Sequence, residues 1–211
     1  MRVFLGVTGA SGAVYAGHAL RALTDAGCDV GLCVSGSGAH VISHEILEAG
    51  TRPPEDPGMV VATFVERYAT GPGSVTVLGL NDLTAPFASG SSLAPAALIA
   101  PCSGASMACI AHGTARNLIH RCADVMLKER RRLVVMPRET PLSLIHLENM
   151  ATLTRAGAIV MPAMPGFYNH PRSVDQLVDF MVAKALDHLG VPHDLIARWG
   201  EDPAAAHGRP A

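Results

Sequence analysis

Aromatic rings are scarce in this chain: one tryptophan, three tyrosines and five phenylalanines among 211 residues. The core must therefore be built from Ala, Val, Leu, Ile and Met, and each ring is worth locating individually. Charge is scarce too. Only 16% of residues are charged, with a net charge of −2 and a pI near 6.5, so no global basic field draws nucleic acid. The single basic cluster, Lys128 with Arg130, Arg131 and Arg132, is too local to create one. No apolar run reaches the length of a membrane span, and a strand pattern rather than a leader follows Arg2. The five cysteines form no CxxC pair and no zinc-ligand spacing. An odd count without a leader fits reduced thiols in the cytoplasm.

What is present is a chain 49% hydrophobic, punctuated by 21 glycines and 15 prolines. That is too apolar for disorder and too interrupted for a coiled coil. Apolar runs at Arg2–Val7, Asp29–Val34, Val75–Leu78, Ala96–Ala100, Leu133–Met136 and Ala158–Met161 read as buried strands, the fourth stopped by Pro101. Helical patterns fall between them: Ala13–Ala26, Ala39–Glu48, Ser103–His112, Ala115–Arg130 and Leu142–Ala156, with a last one capped by Ser173. Thr51–Gly73 has no clean period and reads as an excursion, partly helical near Val60–Tyr68. The alternation predicts an α/β fold: a Rossmann-like three-layer αβα domain with a mainly parallel sheet. It should span residues 1–199, followed by a mobile tail at 200–211.

The first strand–helix turn, Thr8-Gly9-Ala10-Ser11-Gly12, is small enough for backbone N–H groups to approach an anion. It is a GxxG variant, not the dinucleotide GxGxxG. Ser35 and Ser37 follow the second strand, Ser89-Gly90-Ser91 lies before the fourth, and Pro101-Cys102-Ser103-Gly104-Ala105-Ser106 follows the fourth. Turns of this kind near strand ends predict a phosphate-bearing ligand seated at one sheet edge. Arg138 and Glu139 follow the fifth strand, where they supply either a phosphate clamp and proton donor or a structural ion pair. Pro141 is placed to open the next helix. Charge spacing alone makes Arg121–Arg131 a solvated helix end, and the prolines around Tyr168 hold its ring in a rigid loop. His40, His44 and Glu45 have helical spacing but no third histidine ligand, so a metal site is not expected.

Taken in order, Gly-Val-Thr-Gly-Ala-Ser-Gly, Ser-Gly-Ser, Pro-Cys-Ser, Leu-Lys-Glu-Arg-Arg, Arg-Glu-Thr-Pro-Leu, Pro-Gly-Phe-Tyr and Ala-Arg-Trp resemble the UbiX-type flavin prenyltransferases from Met1 to about Trp199. The resemblance implies a homo-oligomer, in the family's common form a dodecamer, that binds FMN at subunit junctions. It further implies metal-free transfer of a dimethylallyl group from dimethylallyl monophosphate to N5 and C6 of reduced FMN. The product would be the prenylated flavin used by a UbiD-type decarboxylase.

By the same resemblance, Gly9, Ala10, Ser11, one of Ser35 and Ser37, Ser103, Gly104, Ala105, Ser106 and Arg138 hold FMN. Arg121, Lys128, Glu139, Tyr168 and Lys184 grip the prenyl phosphate, with Ser89 and Gly90 at the substrate and Trp199 as an added π wall. Ser11, Glu45, Lys128 and Glu139 carry the chemistry. Two stretches depart from the family pattern. Gly104, Ser106 and Met107 replace bulkier or threonine–leucine residues, and the region Ile46–Ala88 is long. Rival readings are a flavin-dependent cysteine decarboxylase, a non-catalytic FMN carrier or partner subunit, and a nucleotide-dependent oxidoreductase. The first lacks its histidine in Asn81–Pro95, and the last lacks its GxGxxG.

Overall fold

The first strand, β1 (Arg2–Val7), sends Val3, Leu5 and Val7 into one apolar core and Phe4 into another on the opposite face. That two-residue alternation recurs in β4 (Ala96–Cys102) and β5 (Arg132–Pro137), so the sheet is covered on both sides. The computed structural model describes residues 1–92 and 94–196. With β2 (Asp29–Val34), β3 (Ser74–Val77) and β6 (Ile159–Val160), the strands form one parallel sheet in the order β3-β2-β1-β4-β5-β6.

One layer contains α1 (Ala13–Asp25), α2 (Gly36–Glu45), α3 (Pro57–Tyr68) and α7 (Val174–Leu189). The other contains α4 (Gly104–Ala111), α5 (Leu118–Lys128) and α6 (Leu144–Ala156). The doubly wound α/β expectation is met. Scarce rings are spent in the packing: Phe4 and Phe87 lie 5.2 Å apart, and Phe87 occupies the space a Gly31 side chain would need.

Local chemistry moves several boundaries. The strand through Ala100 does not stop at Pro101 but runs to Cys102, because both residues stay buried beside β1 and β5. Pro141 does not open α6. Ser143 caps that helix, accepting from the His146 N–H at 3.2 Å. Asn117 likewise starts α5 later than Ala115, by accepting from the His120 N–H at 3.0 Å. The unclear Thr51–Gly73 stretch holds a complete helix, opened by Asp56 as cap and Pro57 in the first turn. Ile145 is 67% exposed, and α6 fully turns inward only at Asn149 and Leu153.

No helix among the described residues is long and apolar enough to cross a membrane. Leu93 and residues 197–211 lie outside the described residues, and with them Trp199 and the tail at 200–211.

Candidate functional site

The sheet order places its switch point between β1 and β4, whose chains leave toward opposite sides and open a crevice at the carboxyl ends. Thr8 joins the two lips. Its hydroxyl donates to the Pro101 carbonyl at 2.9 Å and accepts from the Ser103 N–H at 2.7 Å. Each such bond contributes on the order of 1 kcal/mol net. The sequence marks Thr8 only as the first residue of the small turn, and a threonine closing a buried strand is the signal for this further role.

Gly9 lies so close to Ser37 that a methyl group on it would strike the serine side chain. Gly38 is equally confined, its missing Cβ falling 2.7 Å from the Val7 carbonyl oxygen. These contacts bring the first and second turns together. Ser35 caps α2 by accepting from Gly38 N–H at 3.0 Å, and Ser103 caps α4 by accepting from Ser106 N–H at 3.3 Å. Each hydroxyl spends its oxygen on a helix and keeps its hydrogen to donate outward. On the far lip Arg138 Nε donates to the Ser11 carbonyl at 3.1 Å, and Glu139 accepts from Thr140 N–H at 3.1 Å.

Gly9–Ser11, Ser35, Ser37, Ser103–Ser106, Arg138 and Glu139 thus meet on one edge. The set of hydroxyl and amide donors, one arginine and a cleft kept open by Gly9 fits an FMN phosphate and ring edge. Ala10 is 5% exposed and has no polar side-chain atom, so any hydrogen bond it offers comes from its backbone. Beside Ser35 lies an apolar cleft of about 390 Å³, walled by Val34, Ala39, Val61 and Leu80.

Glu45 alters one expectation. Its Oε2 accepts the N–H groups of Gly12 and Ala13 at 2.9 and 2.8 Å, so the positive end of α1 already faces a carboxylate. An incoming anion must use the neighbouring donors instead. The sequence pointed to Glu45 as a flavin-site residue only by resemblance; the structure places it beside the Ser11 turn.

Not all of the remaining residues join this edge. Ser89-Gly90-Ser91, expected to converge with the other turns, sits at the amino ends, where Ser89 and Ser91 line a cavity of about 540 Å³ with Arg2 and Asp29. The reason is topological: the segment precedes a strand parallel to β1 instead of following one. Lys128 lies there too, ion-paired with Glu129 against Gly90, while Arg131 donates to the Gly90 carbonyl at 2.7 Å. The Lys128 ammonium hydrogen-bonds to Glu129 and holds its carboxyl below the usual range. Two turns earlier on α5, Arg121 pairs with Asp124 at 2.7 Å and donates from Nε to the Ala88 carbonyl at 3.0 Å. Strands of six or seven residues separate the two edges by roughly 20 Å.

Tyr168 and Lys184, far apart in sequence, meet through Phe180. The tyrosine packs edge-on to that ring at 5.6 Å, and the lysine ammonium lies 6.0 Å from its centroid. Phe180 was missed, though its four-residue spacing from Lys184 on α7 was visible. Trp199 lies outside the described residues.

His44 Nδ1 lies 3.0 Å from the Gly50 carbonyl, and no group of three or more His, Cys, Asp or Glu gathers among the described residues. Burial pushes the Cys33 and Cys102 thiols up to about 12, and that of Cys122 higher still. Cys102 is therefore a buried neutral wall beside Ser103 and not a nucleophile at neutral pH. Iodoacetamide at pH 8 should leave Cys33, Cys102 and Cys122 unlabelled in the folded protein and modify them after denaturation. Peptide mapping checks this, and labelling of native Cys102 would contradict it.

Residues 1–186 match the family model named Flavoprotein. The flavin prenyltransferase UbiX of Halalkalibacterium halodurans is 46% identical, over 94% of this chain and 93% of that protein. AnUbiX, crystallised with FMN and dimethylallyl pyrophosphate, superposes with TM-score 0.80 at 36% identity, covering 95% of this chain and 97% of that one. A dodecameric FMN-dependent UbiX-like decarboxylase from Escherichia coli O157:H7 gives TM-score 0.80 at 37% identity, covering 95% and 100%.

Proposed function

The chain belongs to the flavoprotein family and, within it, to the UbiX-type flavin prenyltransferases, and from that premise we propose how its residues work. It transfers a dimethylallyl group from dimethylallyl monophosphate to reduced FMN. The observation that carries the assignment of residues is the gathering of Gly9, Ser37, Ser103, Arg138 and Glu139 at the β1/β4 crevice. Reduced FMN, when bound, supplies the nucleophilic N5 and C6 that accept the prenyl group.

The protein's own part is electrostatic. Phosphate leaves slowly unless its charge is neutralised and a proton supplied. Arg121, Lys128 and Lys184 provide the charge, and Glu139 gives a proton to the departing oxygen. Tyr168 offers a π face to positive charge developing on the allyl group, with Trp199 as a second. Ser11 and Glu45 stand at the α1 turn to hold or move a proton near the flavin edge.

Lys128, Ser89 and Gly90 lie roughly a strand length from Glu139 in the same chain, so a second copy must bring them. A homo-oligomer, dodecameric like the Escherichia coli protein, has its complete site at a junction. The domain is residues 1–199, and the recipient of its product is a UbiD-type decarboxylase.

Anaerobic incubation with reduced FMN and dimethylallyl monophosphate should give a flavin heavier by one dimethylallyl unit in place of a hydrogen, together with inorganic phosphate. An unshifted flavin mass would remove the assignment. Carbon dioxide release from a C-terminal cysteine peptide would favour the decarboxylase rival, against which stands the Pro101-Cys102-Ser103 turn.

Gly9→Ala should weaken FMN binding about tenfold or more, because the methyl forces Gly9 and Ser37 apart. Flavin-fluorescence titration measures this. Unchanged affinity would take the flavin away from the first turn.

A further inference from the structure

His146 has no part in the roles assigned above, yet it reaches the same crevice from α6. Its ring lies against Gly104: a Cβ on that glycine would fall 3.0 Å from Nε2, 3.3 Å from Cδ2 and 3.8 Å from Cε1. Gly104 is one of the positions where the chain departs from a bulkier pattern, and the missing side chain is what admits the imidazole. Helix α6 packs on α4 here, and Arg138 N–H donates to the Cys102 carbonyl at 3.4 Å, which sets the Arg138-Glu139 segment beside the Ser103–Ser106 turn.

The tautomer follows from a hydrogen bond on the ring's other side. Ser143 N–H lies 3.3 Å from His146 Nδ1, closing the capping box of α6. A backbone N–H only donates, so Nδ1 accepts and the neutral ring carries its proton on Nε2. That N–H has no hydrogen-bond partner among the described residues, and it borders the turn whose Ser103 hydroxyl also keeps its hydrogen free.

We propose that His146 is a further FMN-binding residue, donating from Nε2 to the flavin phosphate at the Ser103–Ser106 turn and admitted there by Gly104. The inference rests on the flavin reading above. The capping box fixes the ring, so the donor is in place before the ligand arrives and little side-chain freedom is lost on binding. Gly104 then has a second function: its lack of a Cβ leaves the imidazole in reach of the turn.

The test compares FMN with riboflavin, which lacks the phosphate, by fluorescence titration of wild type, His146→Ala, Gly104→Ala and the double variant. A hydrogen bond to a charged phosphate predicts a loss of about tenfold in FMN affinity for His146→Ala, with riboflavin affinity unchanged. Gly104→Ala should give a similar loss by displacing the ring, and the double variant should be no worse than the more severe single one. Nitrogen NMR of labelled histidine should show the Nε2–H tautomer for the neutral form of the ring in the free protein.

Equal losses for the two flavins would make His146 merely structural and overturn the proposal, as would full FMN affinity in His146→Ala or additive losses in the double variant. If His146→Ala fails to fold, Gly104→Ala and the NMR signature still decide. A wild-type protein that binds no FMN would instead overturn the flavin reading, and this inference with it.

Discussion

Glu139→Gln should lower prenyl transfer by about a hundredfold or more while leaving FMN affinity unchanged. The glutamine keeps the shape and the acceptor that Thr140 N–H uses at 3.1 Å, but has no acidic proton to give. General acid catalysis typically contributes ~100-fold to 10,000-fold, and phosphate is a poor enough leaving group to need it. The loss should appear in turnover and not in KM, since the missing interaction belongs to the transition state. Stopped-flow measurement of flavin turnover, paired with titration of FMN, separates the two. Equal rates for wild type and variant would remove Glu139 as the acid.

The second large effect concerns how the site is shared. Lys128→Ala and Arg138→Ala should each be nearly inactive when purified alone. When the two are unfolded together and reassembled in equal amounts, activity should return to about a quarter of wild type. One intact carboxyl edge and one intact Lys128 cluster then meet at about one junction in four, as random mixing requires. The prediction follows from Lys128 bordering Gly90 at the amino ends while Arg138 holds Ser11 at the carboxyl ends. Mixtures no better than the separate variants would mean that a single chain supplies both groups.

Much of the architecture could be read from the order of residues. The apolar runs of β1, β4 and β5 are plain because each residue must enter one of two cores, and Ser173 marked the start of α7. Pro101 misled because burial beside β1 and β5 outweighs its missing donor at a strand's end. The turns after β1, β2 and β4 were legible as one edge, since a parallel sheet sends all carboxyl ends the same way. The same rule, applied to Ser89–Ser91, would have placed them at the other end; composition alone concealed it. The parts played by Thr8, Phe180 and His146 are hidden for a different reason. Each acts through a contact across elements, to Pro101, Tyr168 and Gly104 respectively, and such contacts leave no local period.

The site's location is tested most directly by the structure of the assembled protein with FMN bound. The phosphate should lie against Ser37 and the Ser103–Ser106 turn, with Arg138 and Glu139 from the same chain and Lys128 arriving from a neighbour. A flavin seated at the amino ends beside Arg2 and Asp29, or Lys128 left remote from every Glu139 in the assembly, would contradict it.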